Sequence, residues 1–165
     1  RRYSIDRFLE KLDMMRDRLH HPAFTTDVIV GFPGETEDEF QQTLEACRKA
    51  GFMKIHIFPF SAREGTPAAG FAVQIDPRIR KERCDRLAVL ERELAQEFYA
   101  TLEGQPLEVL IEQPCEDSPG LVQGTDRRYV PVRLPGTEAD LGQFVDAIGE
   151  TAKVQHLSAR RGAGC

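Results

Sequence analysis

The residues best suited to chemistry lie in one run, TTDVIVGFPGETEDEF, from Thr25 to Phe40. An apolar stretch ends in a Gly-Pro-Gly bend, and acids follow at once. In α/β folds ligands collect at the carboxyl ends of strands, so a bend at that point is a place to bind something. Glycine backbone lets a ligand come close, and Glu35 can accept hydrogen bonds from an amine or from ribose hydroxyls. The same carboxylate can equally complement the dipole of the helix that follows. Spacing alone leaves both roles open. The run lacks Gly-Lys-Ser/Thr and G-x-G-x-x-G, so it is neither a P-loop nor a dinucleotide-binding turn.

Other chemistries find less support. Cys47, Cys84, Cys115 and Cys165 are scattered without C-x-x-C or zinc-type spacing, so no metal site and no disulfide framework is expected. Of the 165 residues, 41% are hydrophobic and 30% charged, the balance of a soluble globular protein of one or two domains. No apolar run approaches the ~20 residues of a membrane span. The start, RRYSIDRF, is basic but has no secretory apolar core, and a cytosolic location is expected. A net charge of -5 means that any contact with nucleic acid must come from a local patch.

The elements that hold these residues follow from periodicity. Ser4 can cap a helix to about Leu19, with Ile5, Phe8, Leu9, Leu12, Met15 and Leu19 at helical spacing. A strand is expected from about Phe24 to Val30. A second helix opens on Thr36 and Glu39 at capping-box spacing and closes at Gly51. FMKIHIFPF reads as a second strand and Ser61 to Ile75 as a loop. Asp76 and Pro77 begin a long helix to about Leu102, with Ile79, Cys84, Leu87, Leu90, Leu94 and Phe98 along one side. Two strands each followed by helix imply a parallel sheet with helical crossovers. Two are too few for a self-sufficient parallel sheet, whose faces are normally both covered, so the chain reads as cut from something larger.

After Gly104 the pattern changes to short alternating runs broken by EDSPG, GTD, LPGTEADLG and IGE. Strands are expected near Leu107–Glu112, Leu121–Thr125, Tyr129–Leu134, Phe144–Ile148 and Ala152–Leu157. Five short strands in so little chain suggest a small closed β-barrel, since closure removes exposed edges.

TTDVIVGFPGETEDEF, then KIHIFPFSAREGTPAAG and RKERCDRL, resemble the later half of the catalytic barrel of radical S-adenosylmethionine methylthiotransferases. These enzymes place a methylthio group on a modified adenosine beside the tRNA anticodon, or on a ribosomal-protein aspartate. KIHIFPFS resembles the branch acting on threonylcarbamoyladenosine more than the isopentenyladenosine branch. The resemblance implies an α/β fold in two parts: residues 1–103 as half of a radical-S-adenosylmethionine, TIM-like barrel, and 104–161 as an all-β, OB-like TRAM barrel. Residues 162–165 are left as a flexible tail. It further places Gly31, Phe32, Pro33, Gly34 and Glu35 near the adenosyl part of S-adenosylmethionine. Phe58, Pro59, Phe60 and Ser61 would offer backbone groups to the adenine, with core packing as the other role for Phe58 and Phe60. Arg63 and Glu64 fall on the next loop, where substrates of the family enter.

GLVQGTDRRYVPVRLPG followed by GQFVDAIGE carries the likeness to the TRAM domain, which grips tRNA at the anticodon stem-loop. The basic groups there are Arg127, Arg128, Lys153, Arg160 and Arg161, with Tyr129 and His156 among them. Cations track phosphates and aromatic rings stack on bases. A merely solvated basic surface is the alternative.

One departure from the family is decisive. Radical S-adenosylmethionine chemistry needs a four-iron–four-sulfur cluster on C-x-x-x-C-x-x-C, and no such triplet occurs in the 165 residues. The chain is therefore expected to be a C-terminal part of the enzyme, catalytically inert alone, its cluster ligands belonging to the missing N-terminal part. The rival readings are a stand-alone RNA-binding protein on an α/β scaffold and a methylthiotransferase of another substrate branch.

Overall fold

A computed structural model describes residues 4–162. The chain divides into two compact units. The first holds the stretch to Leu19 and Phe24–Leu94; the second holds His20–Ala23 and the stretch from Ala95.

In the first unit, helix α1 spans Ile5–Arg16, and the Ser4 hydroxyl accepts from the Arg7 amide at 3.3 Å. It stops three residues before Leu19, which the periodicity had included. Leu19 is 55% exposed, so its apolarity is no part of the buried stripe. Strand β1, Thr25–Val30, runs parallel to β2, Lys54–Pro59, in register from Thr25 opposite Lys54 to Val30 opposite Pro59. Between them α2, Glu37–Ala50, begins on a complete Thr36/Glu39 capping box and ends on Gly51 at φ 55°. The parallel sheet with helical crossover expected from the pattern is present.

One face of this sheet is covered. Val30 and Ile55 pack with Phe40, Cys47, Leu87, Leu90 and Leu94 in one core. Residues on the other face, Thr25, Asp27 and Ile29 beside Lys54, His56 and Phe58, are exposed. Parallel sheets are ordinarily buried on both sides, so this bare face is the unusual feature of the unit.

Helix α3, Pro77–Ala100, starts on the Asp76 carboxylate, which accepts from the Arg78 amide at 2.7 Å. Ile79, expected on its apolar side, is 45% exposed, and the buried stripe begins at Arg83 and Leu87. Past Ala100 the chain tightens into i→i−3 bonds, Thr101 to Phe98, Leu102 to Tyr99 and Glu103 to Ala100. The division between units falls inside α3, ahead of Gly104, because its last turns, with Ala95, Tyr99 and Leu102 buried, belong to the barrel unit.

That unit is a closed five-stranded barrel, as expected. Its strands are β3 (Pro106–Pro114), β4 (Leu121–Asp126), β5 (Pro131–Pro135), β6 (Phe144–Ala152) and β7 (Leu157–Arg161), in the order β3-β4-β5-β7-β6. Alternate residues fill it, among them Val109, Ile111, Val122, Val132, Leu134 and Leu157. The last two strands differ from expectation. The pattern put a turn at IGE and a strand over Ala152–Leu157; β6 instead runs through IGE by a bulge between Gly149 and Thr151. The turn lies at 153–156, closed by the Lys153 amide on the His156 carbonyl at 2.8 Å. Gly149 is a close approach and not a bend: a Cβ there would lie 2.3 Å from the Leu102 carbonyl oxygen. Tyr129, expected to open β5, belongs to the turn before it and has φ 62°.

Candidate cofactor turn and nucleic-acid face

The opening run forms a closed turn at the carboxyl end of β1. The Glu35 amide donates to the Phe32 carbonyl at 2.9 Å, with Pro33 second and Gly34, at φ 85°, third. This is the residue pattern of a type II turn, which needs glycine where φ is positive. Gly31 is at φ 76°, and a Cβ there would meet the Arg80 side chain at 2.8 Å. Gly31 is thus fixed by backbone and space, and Gly34, where a Cβ would meet no atom within 4 Å, by backbone alone. Gly31 and Pro33 are buried, Phe32 and Gly34 exposed.

Glu35 does something neither sequence reading anticipated. Its Oε2 accepts from the Gly31 amide at 2.9 Å and from Arg83 Nη1 at 2.8 Å, while the same Nη1 donates to the Glu35 carbonyl at 3.0 Å. The dipole of α2 is complemented by Glu37, Asp38 and Glu39 instead. Arg86 bonds Glu37 and holds its carboxyl below the usual carboxylate range. Arg83 was missed in the sequence, although its signal was there: it stands four residues before Leu87, in phase with the buried stripe. A charged residue at such a position requires a partner.

Beside the turn, the Phe60 amide donates to the Val30 carbonyl at 2.8 Å, tying the end of β2 to the end of β1. Phe60 is half-buried, whereas Phe58, Pro59 and Ser61 are exposed. The ring of Phe32 meets those of Phe60 and Phe71 edge-on, with centroids 5.3 and 6.1 Å apart. The nine residues expected near the cofactor therefore lie around the carboxyl ends of β1 and β2, which this bond ties together. Arg63 and Glu64 are exposed on the loop beyond.

In the barrel unit the basic residues separate. The register Val132 opposite Leu157 sets the start of β5 beside the start of β7. The turn into β5, with Arg127 and Tyr129, and the turn into β7, with Lys153 and His156, therefore share one end of the barrel. Arg127 and Lys153 are exposed and, among the described residues, carry no ion pair; Tyr129 is 81% exposed. Burial, then Arg133 and Lys153, lower the His156 pKa. Arg160 and Arg161 lie at the far end of β7. Arg161 bonds Asp140 at 2.7 and 3.2 Å, and Arg160 stands 3.7 Å from Glu150.

Arg128 does not fit the expectation of a surface cation. It is buried, pairs with Asp126 at 2.8 Å and donates from Nε to the His21 carbonyl at 2.9 Å. The turn between β4 and β5 explains the reversal: the Asp126 carboxylate accepts from the Arg128 amide and guanidinium and draws that residue inward, while Arg127 and Tyr129 on either side stay exposed. Arg133, missed in the sequence, is held by Asp117 at 2.9 Å and Gln123 at 3.0 Å.

The threonylcarbamoyladenosine tRNA methylthiotransferase MtaB of Bacillus subtilis (strain 168) is 37% identical to this chain over 161 residues, 96% of it. A tRNA-2-methylthio-N(6)-dimethylallyladenosine synthase of Paenarthrobacter aurescens (strain TC1) is 39% identical over 166 residues, also 96% of the chain, and one of Bacillus licheniformis is 34% identical over 95%. The chain is a C-terminal part of a methylthiotransferase. It spans about a third of the length of these curated relatives, 34%, 32% and 31% respectively. No family model matches it.

For a methylthiotransferase two groups must be tested against the residues present. At the turn Glu35 Oε2 is taken, Oε1 has no hydrogen-bond partner among the described residues, and the exposed rings of Phe32 and Phe71 stand alongside, an acceptor and an apolar surface of the kind an adenosyl group could use. An iron–sulfur cluster does not fit. Among the described residues no three His, Cys, Asp or Glu could share a metal ion. Burial pushes the Cys47 thiol up to about 11 and raises those of Cys84 and Cys115, which disfavours the thiolate that a metal needs. Cys165 lies outside the described residues. No helix among them is long and apolar enough to cross a membrane.

Proposed function

We propose that this methylthiotransferase part supplies half of a radical-S-adenosylmethionine α/β barrel over residues 1–103, and a tRNA-binding TRAM barrel over 104–161. The observation that carries the reading is the strand-end turn of 31–35 beside a sheet with one bare face. In a closed barrel that bare face would line the interior, and the turn would face the ligand. Thr25, Asp27, His56 and Phe58 would then look into the reaction chamber. The parent enzyme would add a methylthio group to threonylcarbamoyladenosine next to the anticodon, the branch that KIHIFPFS resembles. Relatives named for dimethylallyladenosine match at similar identity, so that nucleoside is the second reading, and nucleoside analysis of tRNA from a strain lacking the parent separates them. S-adenosylmethionine supplies the radical chemistry once bound. This chain's share is to hold its adenosyl part, and alone it would be inert.

Glu35 would accept a hydrogen bond from the cofactor through Oε1. Losing a charged acceptor costs about 1.5–3 kcal/mol of binding, roughly tenfold or more in dissociation constant. Equilibrium binding of S-adenosylmethionine to the full-length parent should therefore weaken by that factor in Glu35→Gln. Unchanged affinity would return Glu35 to a purely structural place in the turn.

The barrel end that bears Arg127, Tyr129, Lys153 and His156 would meet the RNA. With two unpaired cations, few counterions are released, so binding of tRNA to the full chain should be weak. It should fall about tenfold between 50 and 200 mM salt. Reversing Arg127 and Lys153 together to Glu should flatten that salt dependence, whereas Arg161→Glu should leave it in place. A flat response in the wild type, or equal effects of the two changes, would remove the assignment.

A further inference from the structure

We infer that Arg83 is the positioning residue of the strand-end turn, acting on the cofactor through Glu35. The inference rests on the proposed role of Glu35 and names the residue that aims it. Arg83 is 4% exposed and sits on the core side of α3, yet its guanidinium bonds no core group. Nη1 takes both the main-chain oxygen and Oε2 of Glu35, at 3.0 and 2.8 Å, so backbone and carboxylate are fixed by one donor.

The guanidinium is itself held on two sides. Phe40 lies under it, 5.4 Å from the carbon to the ring centroid, and Glu37 Oε2 is 3.4 Å from Nε. That Nε is buried without a hydrogen bond. A buried donor left with an ion pair at 3.4 Å but no hydrogen bond is incompletely satisfied, so the guanidinium is placed by its bonds to Glu35 and not by its own optimal pairing. With Oε2 engaged by Arg83 and by the Gly31 amide, the free lone pairs of Glu35 are those of Oε1. Arg83 thereby selects which carboxylate oxygen is offered to a ligand, and prevents the side chain from rotating away. The stem of Arg80 beneath Gly31 closes the same turn from α3, so one helix face supports the whole bend.

A double-mutant cycle in the full-length parent tests this, read by S-adenosylmethionine binding and by thermal melting. Arg83→Met should weaken binding about tenfold, as Glu35→Gln does. The double variant should bind no more than about twofold worse than Glu35→Gln alone, because residues acting as one unit do not add. Arg83→Lys, which keeps the charge, should recover part of the affinity and covers the case in which Arg83→Met fails to fold. Losses that multiply in the double variant would show Arg83 acting independently of Glu35 and overturn the inference. So would an Arg83 variant that melts lower but binds normally. If Glu35→Gln binds normally while Arg83→Met does not, the cofactor role of Glu35 fails, and with it the route through that residue. If neither variant loses affinity, both readings fall.

Discussion

Gly124→Ala is expected to destabilise the closed barrel severely. Gly124 lies in β4 opposite Ile111 of β3. A Cβ built there would stand 1.9 Å from the Leu110 carbonyl oxygen, 2.8 Å from its carbon and 3.0 Å from the Ile111 Cα. These are backbone atoms of the neighbouring strand, so no side chain can swing aside. The cause is local: β3 shifts register between Ile111 and Gln113, which presses its backbone against β4 at this point. Admitting one methyl would require the strands to part and their ladder bonds to break. Overpacking ordinarily costs about 1–3 kcal/mol and occasionally more. Against fixed backbone the upper end, about 3 kcal/mol or beyond, is expected. Denaturant unfolding followed by circular dichroism should show a markedly lower midpoint for Gly124→Ala. Gly120→Ala should stay milder: φ there is 86°, which alanine resists, but no atom stands within 4 Å. Equal midpoints for wild type and Gly124→Ala would mean that β3 and β4 are not held at this separation.

Gly124 also shows what a sequence does and does not disclose. Strand number, the closed barrel, the parallel pair and the capping box at Thr36 all follow from periodicity and turn chemistry, which are local. The places where the reading slipped depend on partners far along the chain. IGE looks like a turn because glycine usually marks one, but Gly149, like Gly124 inside the strand expected over Leu121–Thr125, is a place where another backbone comes too close for a Cβ. The fifth strand was displaced for the same reason. At the candidate turn the residues were legible from the strand-glycine-acid run, whereas the partner that fixes Glu35 lies 48 residues on, in α3. Only its phase with Leu87, Leu90 and Leu94 hinted that Arg83 faces inward. Arg128 misled in the opposite way. Two adjacent arginines before a tyrosine read as a basic patch, and only the partners that Arg128 finds in Asp126 and the His21 carbonyl tell which one is inside.

The inward placement of Arg128 makes Asp126 a sensitive side chain of the barrel. Its Oδ1 accepts from the amides of Arg128 at 2.8 Å and Val130 at 3.1 Å, and Oδ2 accepts from Arg128 Nη1 at 2.8 Å. Arg128 in turn donates to the His21 carbonyl, where the backbone has φ 46°. One buried carboxylate thus holds the turn that presents Tyr129, itself at φ 62°, and through Arg128 secures the 20–23 segment. In Asp126→Ala a buried guanidinium and two amides lose their acceptor together. Removing one member of a buried pair costs about 3–5 kcal/mol, because the charge left behind is uncompensated. Asp126→Asn keeps an acceptor for the two amides and should lose less. Arg128→Met strands the buried carboxylate instead, but its two amide donors remain, so it should lose less than Asp126→Ala. This order, read from denaturant midpoints, separates a buried pair from a surface one, for which all three changes would stay within about 1 kcal/mol. The same variants decide what Arg128 is for. At a temperature where each is folded, Arg128→Met should leave the salt dependence of tRNA binding as it is, because its guanidinium meets a carboxylate and a carbonyl instead of solvent. A reduced salt slope in that variant would move Arg128 back to the RNA-facing surface.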